Sequence, residues 1–76
     1  MWFNKRVTPR TPERVAKRAA MLPTNDLTMW SDQAINSTGR ALTTYYRTKE
    51  RAFLDDAHMG AVAILAIVEE IQRRSE

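Results

Sequence analysis

The sequence predicts an all-α fold. It reads as an antiparallel helical hairpin, with helices over ~27–47 and ~50–74, preceded by a short N-terminal helix over ~12–22. Three observations carry this expectation. Apolar residues recur at spacings of three and four through most of the chain. The chain has only two Gly and three Pro, and Pro23 falls between two periodic segments. No two-residue turn is flanked by alternating β-branched residues, so no strand pairing competes.

The first helix has a start and a stop. Thr11 is a suitable N-cap, and Pro12 suits the first helical position, where its missing N–H costs nothing. Glu13 favours the first turn through the helix dipole. Val15, Ala19 and Leu22 form one apolar stripe, with Arg14, Lys17 and Arg18 off it. Pro23 ends the run because the residue before a proline is driven out of the helical region.

The second helix is expected to start after Thr24-Asn25-Asp26, with Thr24 or Asp26 as cap. Leu27, Trp30, Ala34, Ala41 and Tyr45 form its stripe, Ser37 or Thr38 fills the gap, and Ile35, Leu42 and Tyr46 widen it. Ser31, Asn36, Ser37, Thr38, Gly39, Thr43 and Thr44 are weak helix formers, so tertiary packing must hold this segment. A tight turn capped by Thr48 leads to the third helix. One continuous bent helix would be several times the usual length.

The third helix has a seam of Leu54, Ala57, Ala61, Ile64, Val68 and Ile71, spaced 3, 4, 3, 4, 3 as in coiled coils. Met59, Val62, Leu65 and Ile67 lie outside it, so the middle of the helix is apolar almost all round. Such a helix is surrounded by neighbours, and two companions from a chain of 76 residues hardly cover it. Glu69-Glu70 and Arg73-Arg74 read as two i,i+4 ion pairs on a solvated end.

Size makes the same demand. A core this small contributes roughly 3–5 kcal/mol, and short folds add disulfides, a metal or a partner. The chain has no Cys and one His, so thiolate zinc sites and disulfides are ruled out. The expected device is another chain: a second copy or a larger protein partner. Trp30, Tyr46, Phe53, Gly60, Val62, Leu65 and Ile67 are the candidate protein interface. Gly60 lies among Ala57, Ala61, Ala63 and Ala66, a small-residue surface that lets a helix approach closely, within the hairpin or between molecules.

Charge divides the chain into a basic extended arm over 1–10 and one small helical domain over 11–76. Residues 1–22 hold six basic side chains against Glu13, a net +5, while the remainder is net −2. Lys5, Arg6, Arg10, Arg14, Lys17 and Arg18 are the candidate contacts for an anionic partner, and the alternative function is nonspecific DNA or RNA binding through them. Trp2 and Phe3 either stack on bases or fold back onto the third helix as core.

No catalytic constellation is legible. There is no Cys, a single His and no Gly-x-Ser-x-Gly turn, and two Gly cannot build a phosphate loop. Asp55-x-x-His58 sets a carboxylate and an imidazole one turn apart, but negative charge early in a helix explains it without a metal. No enzyme, cofactor or metal is expected. The longest apolar run, Ala57 to Val68, makes about 18 Å of helix against a bilayer core of about 30 Å. No transmembrane segment, no secretory signal and no membrane-surface role are expected, and the cytoplasm is the expected location. The expected function is a small non-enzymatic helical interaction module, adaptor or regulatory, that self-associates.

Overall fold

A computed structural model describes residues 12–75. Helix α1 spans Glu13–Met21, α2 spans Thr24–Thr48 and α3 spans Arg51–Ser75, with no strand among the described residues. The all-helical expectation holds, and α2 and α3 are separate helices that pack as a hairpin. Residues 1–11 and 76 lie outside the described residues, and with them Thr11, Trp2, Phe3, Lys5, Arg6 and Arg10.

Helix termini follow backbone chemistry more than side-chain caps. Pro12 precedes α1 instead of opening it, and its carbonyl accepts the Ala16 N–H at 3.0 Å. Leu22 adopts extended backbone (φ −90°, ψ 144°), as a residue before proline should. Pro23 then precedes α2, which starts three residues earlier than expected. Neither Thr24 nor Asp26 caps it through a side chain; both lie inside the helix. The hydroxyls of α2 bond back to the preceding turn: Thr28 to the Thr24 carbonyl at 3.0 Å, Thr44 to Arg40 at 2.8 Å and Thr48 to Thr44 at 2.9 Å. These bonds satisfy the hydroxyls without stabilising the helix, and packing along α3 holds the segment helical.

The α2–α3 turn is Lys49-Glu50. Lys49 takes the left-handed conformation (φ 61°) and donates its N–H to the Tyr45 carbonyl at 2.6 Å. Glycine would be easier here. The Lys49 ammonium sits 5.6 Å from the Tyr45 ring and 5.2 Å from the Tyr46 ring, a compensating cation–π contact. Thr48 does serve the turn, its hydroxyl accepting the Glu50 N–H at 3.2 Å.

The rotation of α3 differs from the expected seam. Ala57 and Ile67 are buried, and Phe53, Gly60 and Ile64 are half-buried. Leu54, Val68 and Ile71, placed in the seam by spacing, are 39%, 44% and 40% exposed, and Ala61 is exposed. The seam therefore runs through Phe53, Ala57, Gly60, Ile64 and Ile67, one residue earlier at most steps. Gly60 is the physical reason. A Cβ at Gly60 would overlap the Thr38 hydroxyl oxygen and stand 3.2 Å from Thr38 Cβ and 3.6 Å from the Ala34 carbonyl oxygen. Only a residue without a side chain lets the helices meet there, so that residue faces α2. Thr38 Oγ1 is buried with no hydrogen-bond partner among the described residues. It lies along a Gly60 Cα–H direction, the arrangement of a weak Cα–H···O contact between helices.

Gly60→Ala should therefore couple to Thr38. In urea unfolding, Gly60→Ala is expected to be less favourable in the wild-type chain than in a Thr38→Ala background by about 1 kcal/mol or more. Additive effects of the two substitutions would contradict the close approach.

Candidate protein interface

Helix α1 covers one side of the hairpin. Ala19, Leu27, Ala66 and Ile67 form the buried cluster, with Val15, Leu22 and Trp30 packed against it. The Arg18 guanidinium stacks 4.9 Å from the Trp30 ring centroid and closes the edge of that cluster. On α3 the covered residues, Ala66 and Glu70, lie to one side of the hairpin seam, Ala66 one position before Ile67 and Glu70 three after it, about 100° and 60° round.

A polar latch fixes α1 in place. Glu70 is 6% exposed and accepts from Arg73 and from Arg74 Nε, the latter at 2.8 Å. Arg74 extends past it to the end of α1 and the start of α2. Its NH2 reaches the carbonyls of Leu22 (2.6 Å), Ala19 (3.3 Å) and Ala20 (3.4 Å), and its NH1 reaches Thr24 Oγ1 at 3.2 Å. The last carbonyls of a helix have no partners of their own and carry its negative dipole end, so a planar cation bonds them well. This corrects the solvated-end reading. Glu70 is buried because α1 lies over it, and the Arg74 fork binds three elements together.

Arg74→Ala is expected to lower unfolding stability by about 1–2 kcal/mol and to speed amide exchange across α1 while the centre of the hairpin keeps its protection. Arg74→Lys should recover little, because an ammonium cannot bridge carboxylate and carbonyls as a fork does. Unchanged exchange in α1 would contradict the latch.

The opposite side of the hairpin has no such cover. Ile35 and Leu42 each follow a buried residue of α2, Ala34 and Ala41. Leu54, Ala61 and Val68 each follow a seam residue of α3, Phe53, Gly60 and Ile67. One position is about 100° of rotation. In an antiparallel pair, the same rotational sense from the seam points to the same side, so both stripes share one face. Tyr46 and Leu65 complete them at helical spacing. The exposures are Ile35 55%, Leu42 39%, Tyr46 70%, Leu54 39%, Leu65 39% and Val68 44%. No Lys, Arg, Asp or Glu stands among these residues within the two stripes, and the one polar ring there is exposed His58, which follows buried Ala57.

The seven interface candidates therefore separate. Tyr46 and Leu65 lie on the open face. Ile67, 1% exposed, is core and is corrected from the interface set, because α3 turns it toward Leu27 and Ala19. Gly60 makes its close approach within the hairpin. Trp30 is half-buried beneath Arg18, Val62 is half-buried, and Phe53 lines a shallow groove with Ser37, Arg40 and Asp56 away from the open face. Ile35, Leu42, Leu54 and Val68 were assigned to intramolecular stripes by spacing alone. Their signal, a second 7-and-4 spacing one residue out of phase with the seam, is visible only once the rotation is known.

Of the basic candidates, Arg14 is exposed, Lys17 stands 4.0 Å from Glu13 and Arg18 is committed to Trp30. Asp55 pairs with Arg51 at 3.6 Å, and α3 has no acid in its first turn, so the expected dipole role of Asp55 and Asp56 gives way to that ion pair. Among the described residues no group of three His, Asp or Glu is placed to hold a metal ion, and no helix is long and apolar enough to cross a membrane. Compared with protein-family models, curated proteins and solved structures, the chain matches none of them.

Proposed function

We propose that this chain is a small non-enzymatic helical interaction module, of adaptor or regulatory kind, completed as a bundle by helices of another chain and acting in the cytoplasm. The observation that carries the reading is the uncharged apolar face of α2 and α3 opposite α1. An exposed, largely apolar face marks a place where another surface belongs. Its centre is aliphatic, Tyr46 supplies an aromatic anchor at the turn end, and polar residues flank it, the usual anatomy of an interface. The alternative, phosphate contact through the basic residues, draws less support from the described part of the chain, because Arg18 stacks on Trp30 and Lys17 has an acidic neighbour.

Leu65→Lys places a charge on the face at a residue outside the buried core. Sedimentation velocity of the full chain is expected to show an assembly that Leu65→Lys reduces to the 8.8 kDa chain, with helix content by circular dichroism retained. A monomeric wild type that binds an apolar-surface dye no better than Leu65→Lys would sink the reading.

A further inference from the structure

We infer that the occupant of the open face is a second copy of this chain, docked by a two-fold axis that runs across the helices beside Ala61 and Gly39. This rests on the interaction-module reading and names its partner.

Two aliphatic pairs of the face meet their own copies under one reversal. On α3, Leu54 lies seven residues before Ala61 and Val68 seven after it. Turning α3 end for end about Ala61 lays Leu54 over the partner's Val68. On α2, Ile35 lies four residues before Gly39 and Leu42 three after it. The same reversal lays Ile35 over the partner's Leu42. The two centres stand at nearly the same height: Gly60 meets Thr38 across the hairpin, so their sequence neighbours Ala61 and Gly39 lie within about one helical turn of each other. One rotation therefore serves both pairs, and it lays Leu65 over the partner's Ala57 and His58 and Tyr46 over the partner's Ser31 and Asp32.

Both centres are small residues. A Cβ built on Gly39 meets nothing within 4 Å. Gly39 thus costs helix stability, roughly 0.5–1 kcal/mol relative to Ala, with no reason inside the chain, whereas Gly60 has one. At a two-fold axis, where a residue meets its own copy, a missing side chain lets the helices approach.

Area agrees. The six exposed side chains, at 39–70% of their full area, present on the order of 600 Å2 of apolar surface. Two such faces remove on the order of 1,200 Å2 from water, the lower end of the range for stable interfaces.

The test uses the full chain, which has no cysteine of its own. Ala61→Cys is expected to cross-link to itself under diamide at least about ten-fold faster than Ala20→Cys, which is exposed on α1. Gly39→Leu adds a Cβ that meets nothing within its own chain and replaces a weak helix former, so it should retain or raise helix content while weakening the dimer about ten-fold or more in sedimentation equilibrium. An assembly that Leu65→Lys dissolves, but in which Ala61→Cys does not cross-link preferentially and Gly39→Leu changes nothing, overturns the two-fold arrangement and leaves the interaction-module reading standing. A chain that stays at 8.8 kDa up to about 100 µM, yet binds an apolar dye that Leu65→Lys abolishes, overturns the second copy as occupant.

Discussion

The close approach of α2 and α3 at Gly60 and Thr38 sets the rest of the structure. A helix face is a rotational quantity, and one residue of slip turns it by about 100°. Because a Cβ at position 60 would overlap the Thr38 hydroxyl, Gly60 favours this rotation of α3 over its neighbours. That rotation buries Ala57 and Ile67, turns Ala66 and Glu70 toward α1, and leaves Leu54, Leu65 and Val68 facing outward. The core is made largely of alanine, with Leu27 and Ile67 as its largest fully buried side chains. A core of small side chains stabilises by bringing backbones together more than by the area of each side chain.

The second constraint is supply. Nine residues of α1 can cover one side of a hairpin of two 25-residue helices, not both. The side it covers has the means to hold it: a short apolar stripe, the Arg18–Trp30 stack and the Glu70–Arg74 latch. Burying Glu70 carries a desolvation cost, which two guanidinium partners offset. Removing either α1 or Arg74 would leave that carboxylate poorly compensated, so the latch makes the position of α1 specific as well as stable. The smallest principal extent of the fold, 17 Å, leaves room for at most two helix layers.

Much of the architecture is readable from residue order. Pro23 and the stripes of Val15, Ala19, Leu27 and Ala34 suffice to place three helices, and Thr48 marks the turn. The rotation of α3 is less readable. When alanines, a glycine and aliphatics share one helix, two heptad registers one residue apart look equally apolar, and spacing cannot separate them. Only the steric meaning of Gly60 can, and it depends on what stands opposite. The burial of Glu70 is hidden from residue order for a similar reason. Its i,i+4 partner Arg74 is the pattern of a solvated ion pair, and the burying element is more than fifty residues away in sequence. Lys49 in the left-handed turn had no glycine to announce it. Of the face itself, Tyr46 and Leu65 were legible as surplus apolar residues, while Leu54 and Val68 were hidden because they fit a seam.

The account comes down to whether the uncovered face stays in water. Methyl NMR with a soluble paramagnetic agent, run over a dilution series, reads this directly. The account predicts that the Leu54, Leu65 and Val68 methyls are shielded at high concentration almost as well as those of Ile67, and become accessible on dilution while Ile67 does not change. Methyls of all three that are equally accessible at every concentration would contradict it.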